Sequence, residues 1–309
     1  MDTPIAGVAE PRQIPRKSAN LGTNASALVA GVVPVGIIWD PRDHSCGYDA
    51  TFTILANLWA EQPDVWEDRF VEFGDLMSSW TNQLKLVAGR VISLESTRNT
   101  VRRGMYALTP EHFPYGPNQT SIDRIARAIL PEKDYASGRQ SCGTCGFTDP
   151  SEYGLFDVFM CATANSRNPT LLGTKVSQWI KNHMSYSRGN CPACRQAGRI
   201  VRMQMTVSFT DIPSLLVVSL DDPRLVIDPM LHFDKEGVLN CLKLRGVIYG
   251  GHGHFTSRYV SHNGAIWYHD GITTGRQCRL EGNITHVNDM SVLSSCGDNR
   301  ALAVLYALA

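Results

Sequence analysis

Two Cys-x-x-Cys pairs constrain the fold of this chain more than any other feature. They are Cys142 with Cys145 and Cys191 with Cys194, and 45 residues separate the two pairs. A two-residue spacing lets both thiolates of a pair face one ion, and two pairs complete a tetrahedral set of four ligands. We therefore predict one structural Zn²⁺ that joins the tips of two strands. The alternatives are unmetallated buried cysteines or a redox disulfide.

The cysteine content indicates thiols and a metal site rather than a disulfide framework. The 309 residues contain nine cysteines, an odd number, whereas disulfide frameworks are typical of small secreted chains. No secretory signal is visible, and the longest apolar stretch, residues 25–39, is too short to span a membrane. We therefore expect a cytoplasmic or nuclear protein. Four further cysteines lie in no motif and are expected to be small buried side chains: Cys161, Cys241, Cys278 and Cys296.

The charge balance argues against a partner that is recognised by a global electrostatic field. Lysine plus arginine number 29, and so do aspartate plus glutamate. Such a chain lacks the basic surface that attracts nucleic acids and anionic membranes. The cysteine pairs alone would also fit a zinc-dependent nucleic-acid binder, but few basic residues surround them. We therefore expect neither a nucleic-acid partner nor a membrane partner.

The first part of the chain is predicted to be mainly α-helical. Residues 1–24 contain three prolines and few large apolar groups, so we expect a flexible leader there. Apolar spacing then predicts a helix from Cys46 onward and a second helix that starts from a capping box at Pro63. Two further helices are expected over residues 96–106 and 121–130. One face of the helix from Pro63 carries Trp66, Phe70, Phe73, Met77 and Trp80.

The second half of the chain changes to short β-type runs separated by turn residues. Asn263 and Gly264 join two of these runs and favour a hairpin with a type I′ turn, which needs positive φ at both central positions. That hairpin would carry His254 and Asp270 on neighbouring antiparallel strands. A helix over residues 171–183 is expected as an insertion between the two cysteine pairs. The predicted strands cover residues 203–209, 214–220, 247–249, 255–261, 265–269 and 303–306.

Cys46 stands where a helix is predicted to begin, and the positive end of the helix dipole stabilises a thiolate there. A thiolate nucleophile also needs a base, and the base needs an acceptor that fixes its tautomer. Cys46, His254 and Asp270 could supply these three roles, with His252 as a second candidate for the base. The alternatives are a buried cysteine at a helix start and a core histidine bonded to the backbone.

The order of these motifs, a cysteine box, two cysteine pairs and a histidine box, resembles the ubiquitin-specific protease (USP) family of deubiquitinases. The resemblance covers about residues 36–309. Its most specific parts are SCGYDA at residues 45–50, GHGHFTSRY at 251–259, WYHD at 267–270, RALAVLY at 300–306 and PSLLVVSL at 213–220. The resemblance implies an α+β fold, that of a papain-like cysteine protease of USP type. Its parts would be a helical thumb at residues 25–135, zinc-bearing fingers at 136–210 and a β-rich palm at 211–309.

The same resemblance implies a cysteine isopeptidase that cleaves after the C-terminal Gly-Gly of ubiquitin or a ubiquitin-like modifier. Cys46 takes the role of the nucleophile, His254 that of the base, and Asp270 that of the group that orients His254. His252 is the weaker candidate for the base, because the family places an aromatic residue directly after its catalytic histidine, as Phe255 stands here. The implied partners are the modifier, SUMO included, and its conjugates. We expect a monomer.

Two departures from the family pattern bear on activity. Pro41 stands where relatives usually carry an asparagine that binds the oxyanion, and Gly271 stands where many relatives have a second acidic residue. The oxyanion would then be held by backbone N–H groups at the Cys46 turn, or by the side chain of His44 or Ser45. Two alternatives to ubiquitin cleavage therefore stay open. One is the divergent, SUMO-cleaving branch of the family, and the other is an inactive scaffold that binds a modifier.

Overall fold

Helices and strands occupy separate parts of the chain, with most of the helices first. The computed structural model describes residues 33–130, 135–151, 174–183, 185–220 and 225–308. The predicted flexible leader and Cys161 lie outside these ranges. None of the helices within them is long and apolar enough to cross a membrane. The helices before residue 135 are α1 to α5, at Cys46–Glu61, Pro63–Val71, Asp75–Ala88, Leu94–Leu108 and Ile122–Ile129.

Helix α1 begins at Cys46, as the apolar spacing predicts, and forms the centre of the helical layer. Every residue from Cys46 to Trp59 is buried. The helices predicted over residues 96–106 and 121–130 are present as α4 and α5, and a serine side chain caps the first turn of each. The prediction that this part of the chain is mainly α-helical is confirmed.

The prediction of a single helix from Pro63 through Trp80 is wrong, because this segment forms two helices, α2 and α3. Gly74 sits between them with a φ of 103°, a conformation that a helix cannot contain and that glycine adopts readily. Gln62, at the N-cap of α2, makes no side-chain cap hydrogen bond, so the predicted capping box is absent. The predicted apolar face is nevertheless buried across the break: Trp66, Phe70, Phe73, Met77 and Trp80.

A small antiparallel sheet follows the helices, and the cysteine pairs lie at its end. Its strands are β1 (Ala136–Ser141), β2 (Ser185–Asn190) and β3 (Arg202–Phe209), in the order β1-β3-β2. Helix α6 (Val176–His183) precedes β2, and the short helix α7 (Pro192–Gln196) follows it. Strand β3 and helix α6 match elements that the sequence predicts, whereas the polar sequences of β1 and β2 gave no prediction.

A second antiparallel sheet has eight strands. Its central order is β10-β11-β6-β7-β8-β9, with β4 beside β11 and β5 beside β6. Strand β6 is 14 residues long, although the sequence predicts only residues 247–249. Its side chains alternate between two cores: Ile248 joins the core of the helices, while Val247 and Tyr249 join the core of the opposite face. The strands β4 to β11 are Leu215–Ser219, Met230–Lys235, Val238–Gly251, His254–Val260, Ala265–His269, Arg279–Asn283, Ser295–Cys296 and Asn299–Leu308.

The predicted hairpin between β7 and β8 is present, but its turn is not type I′. Gly264 has a φ of 84°, whereas Asn263 does not have a positive φ. The N–H of Gly264 donates to the carbonyl of Ser261 at 2.9 Å, and the N–H of Ser261 donates to the carbonyl of Ala265 at 2.9 Å. A loop with one left-handed glycine at its end therefore replaces the two-residue turn.

Gly246 on β6 lets α1 lie close against the large sheet. A Cβ atom added at Gly246 would lie 2.6 Å from Cδ1 and 2.8 Å from Cγ2 of Ile54, closer than real side chains approach. Ile54 is fully buried in α1, so it cannot turn away into solvent. The contact thus sets the distance between α1, which begins at Cys46, and the sheet that carries His254.

Replacing Gly246 by alanine is expected to lower the free energy of unfolding by about 1 to 3 kcal/mol, because the added methyl group overpacks the contact with Ile54. Urea unfolding measures this change. Gly89→Ala is the matched control, since Gly89 has a φ of −73° and its added Cβ would meet only ordinary contacts from 3.5 Å outward. The control should be neutral or slightly stabilising. A Gly246→Ala protein as stable as the wild type would contradict the close contact.

Candidate active site and metal centre

Cys46 lies in the first turn of α1, with its side chain almost completely buried. The chain enters this turn through His44, whose φ of 42° is uncommon for residues other than glycine. The backbone N–H groups of a first helical turn have no intrahelical acceptor, and they give this end of the helix a partial positive charge. An anion that forms at Cys46, on its sulfur or on a bound carbonyl group, would face that charge.

His254 is the first residue of β7 and faces both other candidate residues. A tight turn precedes it, in which His252 and Gly253 both have positive φ. His254 Nε2 lies 2.9 Å from Asp270 Oδ1, and the Cys46 thiol interacts with the same imidazole ring. Because a carboxylate can only accept, Nε2 donates to Asp270, which leaves Nδ1 as the nitrogen that can exchange a proton with Cys46. The exposed His252 side chain does not replace His254 in this bond.

Asp270 directly follows β8 and is held as a carboxylate by several donors. Thr273 Oγ1 donates to its Oδ2 at 2.7 Å, and the N–H of Ile272 donates to its Oδ1 at 2.9 Å. Burial by itself would raise the pKa of Asp270, but the hydrogen bonds from His254, Thr273 and Ile272 hold it well below its usual range. Burial would likewise lower the pKa of His254, but the hydrogen bonds to Asp270 and then Cys46 raise it to about 9. The ring of His254 therefore favours the imidazolium form at neutral pH.

The segment just before the turn that leads into Cys46 is bonded to the loop after Asp270, and sequence reasoning did not find this contact. His269 Nε2 lies 3.1 Å from the carbonyl oxygens of both Ile37 and Gly275. Burial lowers the pKa of His269 to about 4, so the ring stays neutral and Nε2 can donate to these carbonyls. A Cβ at Gly36 would lie 2.1 Å from His269 Cδ2, so the segment passes directly over the ring. The sequence marks His269 only as the neighbour of Asp270, and its partner Ile37 is 232 residues away.

The structure narrows the choice of oxyanion donor. Pro41 has no side-chain donor and no N–H group. Ser45 Oγ accepts from the N–H of Asp40 at 2.8 Å and donates to Asp49 Oδ2 at 2.7 Å, and the side chain is fully buried. Ser45 therefore cannot turn toward a substrate, contrary to one of the expected alternatives. Backbone N–H groups at the start of α1 and the half-buried His44 ring remain as candidates.

The four cysteines of the two pairs converge on one point and could hold a metal ion. All four Sγ atoms lie within 4.8 Å of one another. Sγ of Cys142 lies 3.8 Å from that of Cys194, and Sγ of Cys145 lies 3.6 Å from that of Cys191. A tetrahedron with metal–sulfur bonds of about 2.3 Å has edges of about 3.8 Å, so the donor set fits a tetrahedral ion. Three of the four side chains are buried, and Cys145 is exposed.

The backbone around each cysteine pair folds into a tight turn that faces the sulfur atoms. Cys142 follows β1, and its N–H donates to the carbonyl of Phe147 at 2.8 Å. Cys191 follows β2 and caps α7, with its Sγ accepting from the N–H of Cys194 at 3.5 Å. The cysteine pairs thus lie at the tips of the two outer strands of the small sheet, as predicted. Among the cysteines outside the pairs, Cys278 is buried, whereas Cys241 and Cys296 are only half-buried.

The hydrogen bond between His254 and Asp270 makes stability depend on pH. The folded protein binds the His254 proton more tightly than the unfolded chain, whose histidine titrates near pH 6.5. The pair therefore contributes its full stability below about pH 6.5, and this contribution is lost as pH rises through about 9. We expect Asp270→Asn to destabilise the protein by about 1 kcal/mol more at pH 6 than at pH 9.5, after allowance for solvent screening.

This prediction is measured by urea unfolding at the two pH values in a Cys46→Ala background. That background removes the titration of the thiol and the part of the His254 pKa rise that Cys46 causes, so the measurement reports the larger part, which Asp270 causes. Asp289→Asn serves as the control. The Asp289 carboxylate accepts hydrogen bonds from the N–H and the hydroxyl of Ser291, at 2.9 and 2.7 Å, and lies 35 positions along the chain from His254. An Asp270→Asn penalty of equal size at both pH values would contradict the raised pKa of His254.

No family model and no curated protein matches the sequence, but solved structures match the fold. The apo Pan2 pseudoubiquitin hydrolase–RNA exonuclease (UCH-Exo) module of Saccharomyces cerevisiae matches with a TM-score of 0.58 and 10% identity, over 90% of this chain and 55% of that one. The same module in complex with AACCAA RNA matches with a TM-score of 0.58 and 9% identity, over 90% of this chain and 54% of that one.

The SAGA Ubp8/Sgf11/Sus1/Sgf73 DUB module bound to ubiquitin aldehyde matches with a TM-score of 0.47 and 11% identity, over 89% of this chain and 69% of that one. The chain spans about half the length of the Pan2 modules. At these identities the likeness is one of fold, and it agrees with the mixture of a helical layer, a large antiparallel sheet and a small cysteine-bearing sheet. The chain has an α+β fold that is similar to that of the Pan2 module.

Proposed function

We propose that this chain is a cysteine isopeptidase that removes ubiquitin or a ubiquitin-like modifier from lysine side chains. One observation carries the proposal: Cys46, His254 and Asp270 meet at the start of α1, the start of β7 and the end of β8, in a ubiquitin-hydrolase fold. A thiol, an imidazole bonded to a carboxylate and a helix N-terminus are the parts that acyl transfer through a thioester requires.

In this proposal, His254 already holds the proton of the Cys46 thiol as an imidazolium, and the Cys46 thiolate attacks the carbonyl carbon of the modifier's C-terminal glycine. Backbone N–H groups at the start of α1 stabilise the oxyanion that forms. The His254 imidazolium, stabilised by Asp270, then protonates the lysine amine as the C–N bond breaks. Water, deprotonated by His254, attacks the thioester, which releases the modifier as a carboxylate and regenerates the thiol.

Each of three segments of the chain would carry one part of the proposed site. We assign residues 25–135 to a thumb that carries the nucleophile, 136–210 to fingers that carry the four cysteines, and 211–309 to a palm that carries the base and its acid. The modifier's tail would enter between thumb and palm, where α1 meets β7. All three catalytic groups come from one chain, which is consistent with a monomer. A thiol nucleophile needs reducing conditions, as in the cytoplasm or nucleus.

A second candidate function is a scaffold that binds a modifier without cutting it. Pro41 favours this alternative, because it removes the side-chain donor that relatives use for the oxyanion. The Pan2 module, which shares the fold, is described as a pseudoubiquitin hydrolase. The intact set of Cys46, His254 and Asp270 favours cleavage. Among modifiers, the departures from the family pattern leave SUMO beside ubiquitin as a candidate.

Ubiquitin and SUMO that end in a thiol-reactive electrophile test the function directly. The wild-type chain is expected to form a one-to-one adduct with at least one of them, and peptide mass spectrometry should locate it on Cys46. Cys46→Ala should form no adduct and cleave no isopeptide bond. Cys278→Ala, at a buried cysteine outside the site, is the control and should react like the wild type. Binding without an adduct would support the scaffold, and cleavage by Cys46→Ala would remove the proposed nucleophile.

We propose Zn²⁺ as the ion for the four cysteines. Four thiolates in a closed tetrahedral set suit zinc and leave no position for a reactive water, so its role would be structural. Cys142, Cys145, Cys191 and Cys194 would hold it and join the outer strands β1 and β2 of the small sheet. Backbone N–H groups of Cys145 and Thr144 lower the pKa of Cys142 to about 6, whereas burial raises the pKa values of Cys191 and Cys194, so the charge of the ion would be needed to make all four ligands thiolates.

Metal analysis of the purified chain is expected to find one zinc ion per chain. Cys145→Ser should lose most of that zinc and unfold at a lower temperature, because three thiolates remain and the two outer strands lose their link. Cys145 is chosen because it is the exposed member of the set, so the substitution leaves the surrounding packing in place. Cys241→Ser, at a half-buried cysteine outside the set, should keep the zinc. A wild-type chain without zinc that is unaffected by chelators would contradict the metal site.

A further inference from the structure

Three side chains directly behind Cys46 form a buried polar cluster, which we call the Ser45 cluster: Ser45, Asp49 and Arg98. Each is at most 2% exposed. Arg98 Nη1 donates to Asp49 Oδ1 at 2.5 Å and to Ser45 Oγ at 3.1 Å. Ser45 Oγ in turn donates to Asp49 Oδ2 at 2.7 Å, so the three side chains bond to one another in a closed ring.

The Ser45 cluster is bonded to the whole turn that leads into the nucleophile. The same Nη1 of Arg98 also lies 2.9 Å from the carbonyl oxygen of Ile38, so its two hydrogens are shared among three acceptors. The N–H of Asp40 donates to Ser45 Oγ at 2.8 Å. Residues 40–45 form this turn, which contains Pro41 and the left-handed His44, and Cys46 follows it immediately. Arg98, on the separate helix α4, therefore contacts the chain on both sides of the turn, at Ile38 before it and at Ser45 at its end.

A gain in folding free energy does not by itself explain why the chain buries this cluster. Burial raises the pKa of Asp49 to about 7, even though Arg98 and Ser45 both oppose the rise. Removing two charges from water costs about as much free energy as their attraction returns, so apolar side chains of similar volume often serve stability as well or better. A buried ion pair also fixes the orientation of the groups that it joins, because each donor and acceptor is satisfied in one arrangement only.

We propose that Arg98 and Asp49 are positioning residues that hold the turn at residues 40–45, so that the backbone N–H groups at Cys46 point at the oxyanion. This rests on the proposed function and identifies how the site works without a side-chain donor at Pro41. A side-chain donor can be oriented by its own rotamer. Backbone donors are oriented only by the turn that carries them, and here the Ser45 cluster fixes that turn.

Arg98→Lys tests the proposal, because lysine keeps the positive charge but its side chain is one bond shorter, so its ammonium group cannot reach all three oxygens that Nη1 contacts, at Ile38, Ser45 and Asp49. Arg245→Lys is the matched control. Arg245 is also buried and ion-paired, to Glu61, and its Nε donates to the carbonyl of Val260 at 2.8 Å, but it has no contact with the turn. Both variants keep the charge balance, and thermal unfolding shows how far each is destabilised.

The first readout is hydrogen exchange of the backbone N–H groups in residues 40–46, which needs no modifier. We expect Arg98→Lys to speed this exchange at least tenfold, with Arg245→Lys unchanged. Unchanged exchange in Arg98→Lys would overturn the proposal, whether or not the chain cleaves any conjugate. Equal acceleration across the whole chain would overturn it as well, since that result indicates general destabilisation.

The second readout compares two reactions of Cys46. Alkylation by iodoacetamide forms a carbon–sulfur bond with iodide as the leaving group and develops no oxyanion, whereas cleavage of a modifier–lysine conjugate does. Arg98→Lys should lower kcat for cleavage at least tenfold, with KM and the pH profile of alkylation unchanged. Parallel loss of both reactions would overturn the positioning role. A wild-type chain that is alkylated at Cys46 but cleaves no conjugate would overturn the proposed function alone, since the exchange result still decides the role of Arg98.

Discussion

The packing of α1 against β6 and β7 is the contact on which the candidate active site depends. Cys46 belongs to the helix and His254 to the sheet, so their separation is set by how closely the helix lies on the strands. Gly246 permits the close approach of Ile54, and the dense packing of apolar side chains around it holds that distance. The register of β7 and β8, in which Ser257 pairs with His269, then brings Asp270 beside the start of β7.

Around this contact the chain buries polar groups that would be costly without partners. The Asp270 carboxylate accepts from Tyr268, Ile272 and Thr273 besides His254. His269 joins the loop after Asp270 to the segment at Ile37. A buried polar group without a hydrogen-bond partner lowers the stability of the fold by several kcal/mol. Each such network therefore favours the single arrangement of the backbone in which its members are paired. Asp270, His254 and the turn before Cys46 are therefore linked by directional bonds as well as by apolar packing.

The sequence predicts those elements whose pattern is local. The spacing of Tyr48, Phe52 and Leu55 predicts α1, and two closely spaced cysteine pairs predict their own convergence, since four thiolates around one ion leave few other arrangements. Strands β1 and β2 escape prediction because they are rich in serine, glycine and arginine, and their pairing with β3 rather than their own composition makes them strands. The break at Gly74 is missed for a related reason, because an unbroken apolar face continues across it.

In the candidate site, too, the contacts that depend on local sequence can be predicted, and those between distant segments cannot. His254 and Asp270 can be paired from sequence, because one hairpin of antiparallel strands links them. Arg98 cannot be linked to Ser45, since 53 residues separate them and only the packing of α4 beside α1 brings them together. An arginine within an amphipathic helix is most often solvent-exposed, so its burial here could not be anticipated from its position in the chain.

Pro41 has no side-chain donor, so another part of the structure would have to supply a hydrogen-bond donor for the oxyanion of the proposed reaction. One oxyanion donor contributes about 3 to 4 kcal/mol to transition-state stabilisation in enzymes where it has been removed, and that contribution falls quickly when the donor points elsewhere. In the proposed reaction no side chain at position 41 provides this donor, so backbone N–H groups at Cys46 would have to provide it, and the turn before Cys46 would set their orientation. That turn has hydrogen bonds of its own, from the N–H of Asp43 to the carbonyl of Asp40 at 3.3 Å and from the N–H of Asp40 to Ser45 Oγ at 2.8 Å. It also contains the left-handed His44, and Arg98, bonded to Ile38 and Ser45 from a neighbouring helix, adds the contacts that tie this turn to the rest of the helical layer.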